Sequence, residues 1–370
     1  MFLPTSIRLV GALGALVALT GAGPGFAASA TASEVVRHTL SGDRVAIHNL
    51  VGDFTVVPTN GSSVVAEVTL QGPDAGRLQI REGTLRGANT LRIVYPGARV
   101  VLPGSGKEGR RFSRWGNRWQ SNFWVRDDGT LDGRTGEGHR VTVTDRGSGL
   151  TASADVRILV PRGRTVAIYW GHGAGDVSAV DANVAIDGAG VEVTARDVKG
   201  SLHVDVGSGA VRITDATADL SVDTGSGDVT LTNVRSERLS VDTGSGEIDA
   251  RDIAGQSVSL DTGSGDIRAQ GIHSPRVHVD TGSGNVQIAI DSDVDVLAVD
   301  TGSGNVSIQV PGSVGASFRA ETGSGQIASE LPLEISKRTS DTLAGTIGDG
   351  RGRIALETGS GNISLRRRGR

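Results

Sequence analysis

Cysteine is missing from all 370 residues. Its absence excludes disulfides, thiol nucleophiles, cysteine-ligated metals and a lipid-bearing cysteine at the head of a processed chain. Aromatic residues make up only 3% of the sequence, too few to fill the cores of ordinary globular domains. Basic charge is carried almost wholly by Arg, with Lys only at 107, 199 and 337, and the net charge of −4 gives no reason to expect a nucleic-acid partner. The seven histidines form no H-x-x-x-H pair. Neither a G-x-S-x-G elbow nor a Walker-type G-x-x-x-x-G-K occurs. Beyond the N-terminus no apolar run is long enough to span a bilayer as a helix.

Glycine, by contrast, is abundant: 55 residues, about twice the usual share. Val, Ile and Leu alternate with polar residues between the glycines, which argues for strands over disorder. At the N-terminus, Arg8 precedes the apolar run 9–19 and a small-residue stretch through Ala27-Ala28-Ser29-Ala30. This reads as an export signal cleaved after Ala28 or Ala30, with a retained anchor as the alternative. The expected location is the periplasm, the cell surface or the medium.

A short word recurs along the second half. Aligned on the first glycine of each turn, the copies fall at 188, 207, 225, 244, 263, 282, 302, 323 and 359, a period near 19 residues with one step of 36. Around each copy the apolar residues alternate, as in Leu220, Val222, Val229 and Leu231 and again in Leu239, Val241, Ile248 and Ala250. Period-two alternation predicts strands with one buried face. Nineteen residues trace roughly 60 Å at ~3.3 Å per residue, enough for one narrow coil. The fold class expected is all-β: a single-stranded parallel β-solenoid with about 19 residues per coil, plus an inserted irregular loop. The long step implies a side excursion near 330–350.

Asp223-Thr224-Gly225-Ser226 is also the tetrapeptide of pepsin-like proteases, but those need two carboxylates sharing one proton. Here the motif returns at Asp242, Asp261, Asp280 and Asp300 and, led by glutamate, at Glu321 and Glu357. A word used once per repeat marks a corner. In that reading Gly225 and Gly227 supply positive φ, Asp223 bonds amides two residues on, and Thr224 and Ser226 hydrogen-bond between coils. The return, such as 232–238, is expected to be looser. Stacked aspartates repel, which raises calcium as a cofactor. Against it, the second acidic position drifts from Asp228, Glu247 and Asp266 to Asn285, Asn305, Gln326 and Asn362. No other cofactor is expected.

The export signal, the early unit Val51-Gly52-Asp53-Phe54-Thr55-Val56 and the coils of form Val-Asp-Thr-Gly-Ser-Gly-Asp-Val resemble the bacterial "putative adhesin" β-strand-repeat family of uncharacterised exported proteins. The resemblance is strong over 186–365 and weak over 33–103. It implies a β-solenoid at the bacterial envelope and brings no catalytic residues.

Five segments follow: a signal peptide, 1–30; N-terminal β coils, 31–103; a Gly/Arg/Trp-rich insertion, 104–152; solenoid repeats, 153–365; and a basic tail, 366–370. Three of the four tryptophans fall in the insertion, interleaved with arginine. Its Arg111, Arg114, Trp115, Arg118, Trp119 and Trp124 are the candidate ligand-binding residues, since rings stack on sugars while guanidiniums hold anionic groups. A loop folded onto the solenoid and a disordered excursion are the competing readings. Tyr169-Trp170-Gly171-His172 reads as edge packing. The N-terminal region and the tail after Leu365 are expected to cover the ends of the solenoid. The function expected is non-enzymatic: an exported binding, adhesin-like or structural module whose partner is an envelope glycan or protein. A polysaccharide-active lyase or hydrolase is the alternative and would need a cluster that breaks the repeat; an envelope sensor or scaffold is a third class.

Overall fold

Residues that alternate aliphatic and polar side chains form strands throughout, and no α-helix occurs among the described residues, which in this computed structural model are 35–103, 120–131 and 138–368. All of them fall in the unit Ser33–Arg370. Strands Thr165–Ser178, Asp181–Arg196, Lys199–Ser208, Val211–Ser226, Val229–Ser245 and Ile248–Thr262 pair in parallel, each with the next. Equivalent residues meet in register: Leu220, Leu239, Val258, Val277 and Leu297 on one wall, Val229, Ile248, Ile267, Val286 and Val306 on the other. All ten are buried, at roughly 1.5–3 kcal/mol each. This is the β-solenoid that the period called for.

The TGSG word is its first corner, for reasons partly different from those expected. Neither Gly225 nor Gly227 lies in the left-handed region. What excludes a side chain is the coil beneath. A Cβ on Gly227 would overlap the Gly209 carbonyl, one on Gly246 that of Gly227, and one on Gly265 that of Gly246. The threonines bond between coils, as expected. Thr243, Thr262, Thr281 and Thr301 are fully buried, and each Oγ1 donates to the carbonyl of the second glycine one coil back, at 3.3, 3.1, 3.1 and 3.1 Å. The amide-capping role falls to the drifting position after the turn. Asp228 accepts from the Glu247 amide, Asp266 from Asn285, Asn285 from Asn305, and Asn305 from Asn362, at 2.8–3.1 Å. Because the acceptor needs only a side-chain oxygen, Asp gives way to Asn without loss.

The return is tighter than expected. A single left-handed residue turns each coil as far as Gly271: Ala179, Asp197, Asp215, Asn233 and Asp252, with φ of 50–56°, then Gly271 at 69°. Asp, Asn and Gly tolerate this conformation best.

At the N-terminal end, Arg44–Val51 pairs in parallel with Thr165–His172, so two adjacent coils are separated by more than a hundred residues of chain. The intervening segment builds the end of the molecule. Strand Ala88–Val94 joins Arg44–Val51 and turns back on Gln79–Leu85, while Val64–Gln71 runs antiparallel to both Val35–Leu40 and Ser153–Pro161. Strands Gln120–Val125, His139–Thr144 and Leu150–Thr151 of the inserted region form a separate small sheet with Arg99–Val101, which precedes it.

The C-terminal end departs from chain order. Asp300 pairs with Glu357, and Glu357 in turn with Glu321. The last coil, Gly352–Ser360 with Ile363–Arg367, therefore lies between the coil at 296–310 and the coil at 316–329. Packing explains the order: Ile363 and Leu365 offer the solenoid two buried aliphatics, whereas Ile327–Ser329 ends in Ser and is only partly buried. Hairpin strands Glu334–Arg338 and Thr342–Ile347 close the outer edge, with every residue of the first exposed. The tail after Leu365 thus does not cover the end; Arg366 and Arg367 pair with Gln309 and Val310 instead.

Two outcomes follow. Gly265→Ala, which drives a methyl into the Gly246 carbonyl, should lower stability by at least about 3 kcal/mol. Gly76→Ala, which meets nothing within 4 Å, should change it by less than about 1 kcal/mol; denaturant unfolding measures both. Hydrogen exchange read by mass spectrometry should find the amides of 352–367 protected like the middle of the solenoid and better than those of 334–347, despite their place near the end of the chain.

Candidate functional site

The solenoid presents a flat face whose outward column before the first corner is acidic: Asp187, Asp205, Asp223, Asp242, Asp261, Asp280 and Asp300 stand one coil apart. Burial raises the Asp261 carboxyl above its ordinary value, and Asp242 and Asp280 raise it further against a smaller opposing effect of His278. Among the described residues no three His, Asp or Glu side chains gather as a metal site.

Toward the N-terminal end the column changes chemistry. Its positions become Tyr169, paired with Asp187 on one side and His48 on the other, and then Arg92, paired with His48. The rings of His48 and Tyr169 stack with centroids 4.4 Å apart and planes 7° from parallel. Two residues along each strand the outward side chains are Ala46 and Ala167, and four along they are Arg44 and Thr165. The result is a trough with a methyl floor, bounded by rings on one side and by Arg44 and Thr165 on the other, roughly 13 Å apart along the strand at ~3.3 Å per residue.

Two further elements wall it. Hairpin Gln79–Leu85 and Ala88–Val94 turns through Arg86 and Gly87, both at positive φ (49° and 79°), as a type I′ turn requires. The second wall comes from the inserted region. The Arg126 amide donates to the Thr130 carbonyl, Asp128 accepts from the Thr130 amide at 3.0 Å, and Arg92 holds Asp128 at 2.6 Å. The Leu131 amide then donates to His48 Nδ1 at 3.4 Å, which places the proton of a neutral ring on Nε2. The half-open pocket has a volume of about 330 Å³ and is lined among others by Arg44, His48, Arg86, Thr130, Tyr169 and Asp187. A larger concavity near 217–219, 235–237 and 254–256, about 660 Å³, is a shallow furrow along the second corner.

The cavity's electrostatics are mixed and largely positive. Burial, then Arg92 and Arg86, lowers the His48 pKa to about 4. At Asp128 burial acts to raise the pKa, but the Thr130 hydrogen bonds and Arg92 outweigh it and hold the carboxyl below its usual value. Burial and Asp205 raise the Asp187 carboxyl, with His203 opposing. Arg44 is exposed and has no carboxylate partner among the described residues.

Of the residues singled out from sequence, Arg111, Arg114, Trp115, Arg118 and Trp119 lie outside the described residues. Trp124 is 38% exposed on strand Gln120–Val125, opposite Arg140. It does not line the cavity, although its strand ends at Val125, which bridges to Leu131 on the wall. Trp170 is edge packing as expected: it is buried against Phe54, and its Nε1 donates to the Gly52 carbonyl at 2.6 Å. Its neighbour Tyr169 faces the cavity, as the expectation for 169–172 did not foresee. Arg44, His48, Arg86, Tyr169 and Asp187 all escaped sequence reasoning. The one available signal was that His48 and Tyr169 occupy the column that later coils fill with aspartate.

The Toastrack DUF4097 family model matches residues 127–366, 240 of the 370. The chain belongs to the Toastrack DUF4097 family. In this Toastrack chain the matched stretch takes in the second wall, Tyr169 and Asp187, while Arg44, His48 and Arg86 lie before it. No curated protein sequence matches the chain. Two crystal structures align with it over most of their length. One is a "putative cell adhesion protein" of Clostridium sporogenes, 11% identical, covering 90% of this chain and 100% of the other with a TM-score of 0.22. The other is a "putative adhesin" of Parabacteroides merdae, 10% identical, covering 92% and 98% with a TM-score of 0.30. Likenesses this distant say nothing of what this chain binds.

The buried histidines set a pH dependence. Unfolded, His48 takes up a proton near pH 6.5; folded, only near 4. Acid therefore favours the unfolded chain between those values, on the order of 3 kcal/mol when titration is complete. Burial lowers His172 to about 4 and adds in the same sense, while the raised carboxyls of Asp187 and Asp261 oppose it. In thermal unfolding at pH 7 and pH 4.5, His48→Gln should narrow the difference in Tm between the two by a few degrees.

Proposed function

We propose that this chain is an exported, non-enzymatic module of the bacterial envelope that binds a saccharide in the trough beside Tyr169. The observation that carries the reading is the cavity itself: an aromatic ring, a methyl floor, threonine hydroxyls and a guanidinium meet where the repeat is interrupted, and nowhere along the regular coils. Rings take the apolar face of a sugar, and hydroxyl and charged groups fix its orientation. The N-terminal leader supports export. The TGSG corners, in this reading, are the recurring mark of the scaffold, which spaces the site from whatever holds its far end. The Arg/Trp run from Arg111 to Trp119 is a second candidate contact on its chemistry alone, rings beside guanidiniums.

A second reading is a uronate-cleaving enzyme, favoured by one observation: Arg44, Arg86, His48, Tyr169 and Asp187 line one pocket at the end of the column where its chemistry changes. Such an enzyme needs a guanidinium to neutralise the uronate and a base to take a proton. Against it, His48 is 3% exposed and its Nδ1 is engaged by Leu131.

Glycan-array binding by the purified chain tests the first reading. Tyr169→Ala should abolish the signal with little change in Tm, and binding that survives this change would remove the trough from the account. Loss on Trp115→Ala or Trp119→Ala would add the insertion to the site. Turnover of a uronate polysaccharide, followed by absorbance of the unsaturated product, would favour the enzyme.

A further inference from the structure

We infer that the ligand of the trough is an acidic saccharide, one whose ring lies against Tyr169 and whose carboxylate is held by Arg44; this rests on the saccharide reading above.

The positive side of the cavity carries the argument. Arg44 and Arg86 both line it. The third guanidinium close by, Arg92, is committed to Asp128 at 2.6 Å. Among the described residues Arg44 faces no carboxylate of its own, so its guanidinium is uncommitted where those of Arg212, Arg251 and Arg268 meet Glu192, Asp249 and Asp266. A guanidinium left without a partner at the rim of a half-open pocket is suited to a planar anion, which it can hold through two parallel hydrogen bonds.

The ring side decides that the anion belongs to a sugar. His48 covers one face of Tyr169. On the other side the next residue of the column is Asp187, whose side chain is too short to cover a phenol ring. A pyranose packed on that open face would sit above Asp187, whose oxygens accept from sugar hydroxyls. The strip Ala46 and Ala167 separates this position from Arg44, and on Thr165–Ser178 the side opposite Tyr169 ends in Thr165, a hydroxyl. Ring, acceptor, methyl floor and guanidinium therefore follow one another along a trough roughly 13 Å wide, an order that an acidic sugar matches and an inorganic anion does not use.

Calorimetric titration of the purified full chain with a trigalacturonate and with maltotriose, a neutral probe of the same length, tests the inference. The trigalacturonate should bind at least tenfold more tightly, with an affinity that falls as salt rises. Arg44→Ala should weaken trigalacturonate binding about tenfold or more, and far more than it weakens maltotriose binding. Ala167→Leu, which fills the floor without altering charge, should weaken both. Arg212→Ala, on the regular coils, should weaken neither, and thermal unfolding identifies any variant that fails to fold. Equal binding of the two probes, or trigalacturonate binding indifferent to Arg44→Ala, overturns the inference and leaves the saccharide reading standing. An equal loss from Arg212→Ala also overturns it, because diffuse charge would then be responsible. If neither probe binds, the saccharide reading falls and takes the inference with it.

Discussion

Every feature of the solenoid depends on one constraint: each residue lies directly over its own equivalent, one hydrogen-bonded strand spacing of about 4.8 Å away. Whatever a position carries, it must tolerate a copy of itself above and below. Aliphatic side chains gain from this, because like packs on like in a continuous core. Thr262 gains a buried hydrogen bond to the coil beneath, and Asp266 finds the amide of Asn285. Gly265 has no choice, since any side chain would occupy the space of the Gly246 carbonyl. The aspartate column bears the cost at Asp187 and Asp261, whose carboxyls are raised by burial and by neighbouring aspartates.

The same constraint explains why a recognition site cannot readily arise within the regular coils. A surface built of repeated columns is flat and offers the same side chains at every step. The trough forms where the rule is suspended. Between the first coil and the second the chain leaves for more than a hundred residues, and what it builds there returns as walls beside the face. Tyr169 and His48 replace aspartate where those walls stand, so the column that is solvated elsewhere becomes the side of a cavity.

The far end shows a different use of redundancy. The corner words at Glu321 and Glu357 are alike, yet the coil at 296–310 pairs with the second of them. The choice goes to the coil with two large aliphatics after its corner. The weaker coil, with Phe318 and Ala320 inside it, is left for the end, where the hairpin from Glu334 to Ile347 covers its outer edge. An exposed, charged edge strand then terminates the stack, which discourages further strand addition.

The sequence by itself determined the solenoid, its period, the buried residues of each coil and the corner at TGSG, because in-register stacking writes its requirements into every repeat. Leu220, Val222, Thr224 and Gly225 could be read from their neighbours at the same offset. It also exposed the inserted region as foreign to the pattern, yet it drew attention to the Arg/Trp run and away from Arg44, His48 and Tyr169. Those three are ordinary residues in ordinary strands. Only the tertiary structure decided that Arg44–Val51 lies beside Thr165–His172, that a turn at 126–131 packs over them, and that the last coil enters beneath its predecessor. Pairings of that kind rest on contacts between segments far apart in the chain, which leave no period behind.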